Sequence, residues 1–192
     1  MNKKINSNSS AGAAADSGQM LMFERPATIA VNPLLVAAVV DRGATFSGCR
    51  KYRYVLWRIW DDEKPFIMFV GLNPSTANEG KDDATIRRVI SMAKQWGYGG
   101  VYMMNCFPFI STDPIYLKDC SNIEKNDCFL QTIGELCECV VFAWGSFNIV
   151  VEKSRDIALT QMFPNAKALI KNKNGSPRHP LYVPSNVELV EW

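Results

Sequence analysis

The chain has 192 residues, which is enough for about one domain once its polar N-terminal stretch is set aside. Apolar residues make up 47% of the sequence and charged residues 21%, which excludes wholesale disorder, a collagen-like repeat and a long coiled coil. Lys and Arg number 21 against 19 Asp and Glu, so a net charge of +2 creates no broad field that would concentrate a polyanion.

The N-terminal stretch is rich in Asn, Ser, Gly and Ala and lacks the apolar segment of a secretory signal. We expect residues 1–25 to form a flexible polar tail and residues 26–192 to form a single α/β domain. The apolar run Leu34–Val40 ends at Asp41, far short of the roughly 18 residues that a transmembrane helix needs. These features predict a cytoplasmic protein without membrane association.

Cysteine usage also favours a cytoplasmic protein, because the thiols are scattered and no Cys-x-x-Cys pair is present. The six are Cys49, Cys106, Cys120, Cys128, Cys137 and Cys139. Metal chemistry would need Asp82, Asp83 and Asp113 together with a single His, and Asp83 is better explained as a helix cap. We expect no metal and no cofactor.

The first predicted elements are a short helix and two strands. Pro33–Asp41 has apolar residues at helical spacing after a proline. Tyr52–Trp60 alternates between two faces and ends at the turn-like Asp61–Pro65, after which Phe66–Val70 is continuously apolar. This pattern predicts a hairpin of the two strands, with the first at the sheet edge and the second buried on both faces.

Strands and helices then alternate. A helix is expected from Asp82 or Asp83 to Gly97, because its apolar residues follow a 3.6-residue period. The later elements are strand Val101–Met104, helix Asn122–Glu138, strand Val140–Ala143, helix Phe147–Gln161 and strand Ala166–Ile170. The order predicts a central, mostly parallel sheet flanked by helices on both faces, with an antiparallel edge hairpin.

Polar and small residues follow each strand that we expect to be parallel. In open parallel sheets, ligands bind beyond the carboxyl ends of the strands, so these residues should line one site. The candidates are Gly71, Asn73, Pro74, Ser75, Asn105, Phe107, Phe109, Gly145, Arg178 and His179.

Each segment also has a structural interpretation without a ligand. Gly71–Pro74 is typical of a turn, and Asn105 can satisfy backbone groups at a strand end. Phe107 and Phe109 fit a hydrophobic core, and His179 fits an exposed loop. We favour the site hypothesis, because without a ligand a separate structural explanation would be needed at each of the four strand ends.

Several enzyme classes lack their motif. No Gly-x-Ser-x-Gly elbow, P-loop or Gly-x-Gly-x-x-Gly fingerprint is present. A serine nucleophile at Ser75 or Ser146 would have to use His179 and a carboxylate that no motif supplies.

The sequence closely resembles a bacterial and phage family known only as a domain of unknown function, number sixteen forty-three. The resemblance spans Phe46–Tyr182. It includes Phe46–Tyr54, Gly71–Ala77, Asp83–Arg88, Trp96–Gly99, Thr112–Pro114, Ala143–Gly145 and Pro177–Tyr182. This family implies no activity.

A more distant resemblance is to the uracil-DNA glycosylase superfamily. Gly71–Pro74 is similar to its first motif, which implies that Asn73 holds the attacking water. Val101–Asn105 resembles its strand ending in an Asn that reads a pyrimidine edge, and His179-Pro180 resembles its last motif. The sequence departs from that motif at Leu181-Tyr182, where the usual Ser-Pro-Leu wedge is missing, and it lacks the cysteines of the iron–sulfur branches.

The resemblance implies an N-glycosylase that hydrolyses the glycosidic bond of a modified or mismatched pyrimidine in DNA or in a nucleotide. His179 would donate to the departing base, Asn105 would read its edge, and Phe107 or Phe109 would stack on it. Arg87, Arg88 and Arg178 are the candidates for phosphate contacts. The alternative is a non-catalytic nucleotide- or protein-binding module with the same fold; the oligomeric state is left open.

Overall fold

The computed structural model describes residues 41–117 and 121–192. The predicted tail, Cys120 and the predicted helix up to residue 40 lie outside the described residues. Asp41, the last residue of that helix prediction, begins a strand instead. Within the described ranges, no helix is long and apolar enough to cross a membrane.

The described residues form seven strands and four α-helices. The strands are β1 (Asp41–Phe46), β2 (Arg53–Ile59), β3 (Phe66–Gly71), β4 (Gly100–Asn105), β5 (Cys139–Phe142), β6 (Lys167–Ala168) and β7 (Val190–Glu191). The helices are α1 (Ala84–Gln95), α2 (Ile123–Leu136), α3 (Asn148–Glu152) and α4 (Arg155–Met162). Two short 3-10 helices span Pro114–Tyr116 and Pro180–Tyr182.

The strands make one mixed sheet in the order β1-β2-β4-β3-β5-β6-β7. Strands β4, β3, β5 and β6 are mutually parallel and form its centre, while β1, β2 and β7 are antiparallel to their neighbours. The predicted α/β class with a parallel core is therefore confirmed.

The predicted pairing of the first two strands is wrong. An antiparallel hairpin does lie at the edge, but it joins β1 to β2, with Gly43 opposite Trp57. The other side of β2 pairs with β4, so β2 is inside the sheet. The alternation of polar and apolar residues along β2 is typical of an edge strand with one exposed face. Its Arg58 is instead fully buried and forms a 2.7 Å ion pair with Asp82.

Helices cover both faces of the sheet, as predicted. On one face, Val89 of α1 belongs to the same apolar cluster as Ile67 and Phe69 of β3. On the other face, Leu130 of α2 and Leu159 of α4 share a cluster with Met68, the β3 residue that points the opposite way. Strand β3 is thus buried on both faces, which explains its uninterrupted apolar sequence.

The helix boundaries agree with the sequence for α1 and differ after β5. Asp83 caps α1 by accepting a 2.9 Å hydrogen bond at Oδ1 from the Ile86 amide, and Gly97 follows its end with φ +87°. The single helix predicted over Phe147–Gln161 is two helices instead. Ser154 adopts the left-handed conformation, with φ +52°, and this breaks the helical path between α3 and α4.

The connections create a crevice at the carboxyl edge of the sheet. Strand β3 is followed by α1 and then by β4, its neighbour on the side away from β5. Strand β5 is followed by α3, α4 and then β6, its neighbour on the side away from β3. Because neighbouring connections diverge at this point, a space opens beyond the ends of β3 and β5.

Candidate functional site

A cavity of about 450 Å³ occupies this crevice, and all four predicted segments line it. Its volume lies within the range of small-molecule sites. Seven of the ten predicted strand-end residues line the cavity: Gly71, Asn73, Ser75, Asn105, Gly145, Arg178 and His179.

Gly71 and Asn105 form part of the cavity wall at the ends of β3 and β4. A Cβ on Gly71 would lie 2.6 Å from Met103 Cε and 3.2 Å from the Asn105 amide, so glycine permits the close approach. Asn105 is only 1% exposed. Oriented to suit its neighbours, its Nδ2 donates to the main-chain oxygens of Met104 (3.2 Å) and Asn73 (3.3 Å). The amide nitrogen therefore supports the loop that carries Asn73.

Asn73 uses one end of its amide to hold a neighbouring loop. Its Nδ2 donates to the carbonyl oxygens of Ser111 (2.8 Å) and Pro74 (3.0 Å), with a longer contact to that of Phe109 (3.4 Å). In the described ranges, no donor hydrogen-bonds to its Oδ1. Asn73 is thus a fixed side chain with an acceptor oxygen available to a ligand or a water molecule.

His179 is held as a neutral hydrogen-bond donor. Its Nδ1 accepts from the Leu181 amide at 3.3 Å, which leaves the proton of the neutral ring on Nε2. Burial lowers the pKa of His179 below its ordinary value, and the nearby Asp83 carboxylate opposes this shift only in part. At neutral pH the ring therefore has an Nε2–H group to donate.

Gly145 joins the third and fourth segments. Its amide donates to the Pro177 carbonyl at 2.9 Å, and its φ of +81° lies in the left-handed region that favours glycine. A Cβ there would lie 3.3 Å from Phe147 Cε2 and 3.6 Å from His179 Cβ. Gly145 thereby lets the loop after β5 pass close to His179.

Asn172 organises the rim of the cavity and was missed in the sequence. Its Nδ2 donates to the hydroxyls of Ser146 and Ser176, each at 3.0 Å, and its Oδ1 accepts from Nε of Arg178 at 2.9 Å. No motif marks Asn172, because its partners come from a different strand end and from across its own loop.

Neither aromatic residue expected to stack on a ligand lines the cavity. Phe107 is fully buried in the core, and Phe109 packs edge-to-face on Tyr52 at 5.8 Å without lining the cavity. Phe147 and Tyr182 line it instead and are 42% and 75% exposed. Tyr182 follows the His179-Pro180 pair, and its ring centroid lies 5.7 Å from that of His179.

Three further predicted residues do not line the cavity. Pro74 is buried, and its carbonyl accepts from Asn73 and from the Ser111 amide. Arg87 is exposed and donates to the Asp82 carbonyl. Arg88 donates through Nη2 to the Val183 carbonyl at 2.8 Å, so its guanidinium anchors the segment that follows His179.

Arg53 is the main charged residue that the sequence did not reveal. It begins β2, lines the cavity and is only 3% exposed. Burial lowers the pKa of Arg53 to about 10, so the guanidinium stays protonated at neutral pH. The other charged residues in the lining are Arg178 and Asp83.

The carboxylates considered for a metal have structural partners. Asp82 pairs with Arg58, Asp83 caps α1, and Asp113 Oδ1 accepts from the Ile115 amide at 3.0 Å. In the described part of the chain, no group of three or more His, Cys, Asp and Glu side chains could hold a metal ion.

The fold and the cavity define an α/β protein with a cavity at the switch point of its parallel strands. Residues 53–181 match the family described as "Protein of unknown function (DUF1643)". Because the match covers about two thirds of the sequence, the chain belongs to this family. No curated protein and no solved structure matches it.

Proposed function

We propose that this protein hydrolyses the N-glycosidic bond of a pyrimidine nucleotide, either free or within DNA. One observation carries the proposal: an amide oxygen without a partner in the described residues, on Asn73, and a neutral imidazole donor, on His179, line the same cavity. The distant resemblance of Gly71–Pro74 and His179-Pro180 to glycosylase motifs supports the roles given to these two residues.

The reaction needs a placed water and a stabilised leaving group. The bond between the anomeric carbon and the base nitrogen breaks, its electron pair leaves with the base, and the water oxygen then bonds to that carbon while a water proton passes to solvent. An amide oxygen is a weak base but a good acceptor. Asn73 Oδ1 therefore orients the water, in a reaction where oxocarbenium character on the sugar precedes attack.

His179 acts on the departing base. Negative charge grows on the carbonyl oxygens of a leaving pyrimidine, and a donor aimed at such an oxygen stabilises the transition state more than the ground state. The Nε2–H of His179 can supply this hydrogen bond without a full positive charge on the ring. Because its pKa is lowered, this neutral form persists at neutral pH.

The remaining residues bind and position. Phe147 and Tyr182 offer exposed rings on which a base stacks. Arg178 contributes a guanidinium whose Nε is fixed by Asn172. Asn105 acts as a positioning residue, because its amide nitrogen is already bonded to the Asn73 loop.

A base-release assay tests this function. Single-stranded DNA containing uracil, duplex DNA with mismatched thymine and free pyrimidine nucleotides are incubated with the protein, and released base is separated by chromatography. We expect release from at least one substrate by the wild type and by Arg87→Gln, whose side chain lies outside the cavity. Asn73→Ala should release base on the order of 10²-fold more slowly.

The same assay identifies the alternative function. Binding of a nucleotide without base release from any substrate would contradict catalysis and favour a non-catalytic nucleotide-binding module. The absence of both binding and release would overturn the nucleotide assignment and favour a protein-binding module.

A further inference from the structure

Arg53 places a buried positive charge in the wall of the cavity. Its Nη1 donates to the Ala77 carbonyl at 2.7 Å, while its Nε is buried and has no hydrogen-bond partner in the described residues. Within those residues no carboxylate lies within ion-pair distance of it, and the more distant Asp83 carboxylate compensates its charge only in part. A buried charge is costly unless a partner compensates it, so this arrangement favours an anion in the adjacent space.

The N-terminus of α1 borders the same space. Thr85 and Ile86, in the first turn of this 12-residue helix, line the cavity. The first amides of a helix lack intrahelical partners, and the helix dipole adds partial positive charge there. The Asp83 carboxylate is the opposing charge: it caps the helix through the Ile86 amide, and its field acts on Arg53. With Arg53 and Arg178 against Asp83, the charged side chains of the lining still carry a net positive charge.

Two hydroxyl groups add possible donors to the same lining. Ser75 and Thr85 both line the cavity. Neither hydroxyl makes a hydrogen bond to the rest of the described chain. A guanidinium, the amides of a helix N-terminus and hydroxyls are the donors that commonly bind phosphate in proteins.

We propose that the part of the cavity lined by Arg53, Ser75, Thr85 and the first turn of α1 binds a phosphate group of the substrate. The inference rests on the proposed function for the identity of the rest of the ligand. A free nucleotide and a DNA strand both carry phosphate. The first has a terminal monoester and the second has internal diesters, so the two sources can be told apart.

Binding is measured by calorimetry with a probe that has no base. Deoxyribose 5-phosphate is compared with deoxyribose, so that the result does not depend on which base the protein accepts. We expect the wild type to bind the phosphorylated sugar at least about ten-fold more tightly. Equal affinities, or no binding of either sugar, would overturn the phosphate site.

Variants then locate the site. Arg53→Gln should remove the preference for the phosphorylated sugar, whereas Arg87→Gln, which removes an exposed charge from the same region, should keep it. Since Arg53→Gln could fail to fold, Thr85→Val is a second variant, and it should weaken phosphate binding several-fold. A full preference retained in folded Arg53→Gln, or in Thr85→Val if Arg53→Gln does not fold, would overturn the assignment.

The source of the phosphate follows from two further ligands. Arg53-dependent binding is compared for deoxyuridine 5′-monophosphate and for an internal deoxyuridine in a short single-stranded DNA oligonucleotide. Binding of the first indicates a terminal phosphate, and binding of the second indicates an internal phosphate. The two proposals fail separately. Arg53-dependent binding of deoxyribose 5-phosphate without base release from any substrate contradicts the glycosylase only, whereas base release without a phosphate preference contradicts the phosphate site only.

Discussion

The side-chain amide of Asn73 donates a 2.8 Å hydrogen bond to the main-chain carbonyl of Ser111, so the loop after β3 is tied to the loop after β4. One residue therefore connects two strand ends and offers an oxygen to the cavity between them. Its structural role and its proposed chemical role belong to different atoms, which makes them separable by mutation.

Asn73→Ala should reduce both stability and activity. Loss of the Nδ2 donor leaves the Ser111 and Pro74 carbonyls without this partner, and we expect the free energy of unfolding to fall by about 1–3 kcal/mol in urea titrations. Asn73→Asp replaces the donor by an oxygen that faces the same carbonyls, so it should be destabilised at least as much, while its other oxygen keeps the acceptor and should let it release base faster than Asn73→Ala. Equal rates in the two variants would contradict the role of Oδ1.

His179 should make stability depend on pH. Burial places its folded pKa below the unfolded value near 6.5, despite the opposing field of Asp83, so the unfolded chain binds more protons between those values. This contribution is fully present above the unfolded pKa and is lost as pH falls through the folded pKa. Urea unfolding at about pH 7.5 and about pH 5 should show a smaller loss of stability in His179→Gln than in the wild type.

Phe147 and Tyr182 should contribute to nucleotide affinity rather than to stability. Both rings are substantially exposed at the cavity, and stacking on a base is worth about 1–3 kcal/mol per base. Phe147→Ala and Tyr182→Ala should each weaken nucleotide binding by roughly five-fold or more in calorimetric titrations. Tyr116→Ala is the matched control, since Tyr116 is 65% exposed and is not part of the lining. An equal loss in the control would count against stacking.

Arg155 is a buried polar residue on which stability should depend strongly. It is 4% exposed, pairs through Nη1 with Asp127 at 2.9 Å and donates through Nε to the Cys106 carbonyl at 3.1 Å. Arg155→Met leaves the Asp127 charge unpaired, and we expect a loss of about 3–5 kcal/mol in the free energy of unfolding.

The double variant provides the control for Arg155. Arg155→Met with Asp127→Leu removes both charges, so part of the stability should return. If the double variant is no more stable than Arg155→Met alone, the loss arises from the Cys106 carbonyl or from packing rather than from the unpaired carboxylate.

The elements that the sequence predicted well are those with local signals. The 3.6-residue period and the Asp83 cap are signals contained in α1 and its first turn, so they predicted the helix. The continuous apolar run of β3 likewise predicted a strand that is buried on both faces. Small polar residues after the parallel strands predicted which segments meet, because parallel strands bring their carboxyl ends to one edge. Asn73, Gly145 and His179 line the cavity for this reason.

The remaining features depend on long-range packing. The sequence by itself determined the α/β class and the segments that form the cavity, because periodicity and turn chemistry act over a few residues. Only the tertiary structure decided that β2 lies between β1 and β4, that Phe107 is core, and that Arg53 faces the cavity. Which strands pair and which side chains are buried depend on contacts between segments that are distant in the chain. Local sequence patterns therefore do not predict them.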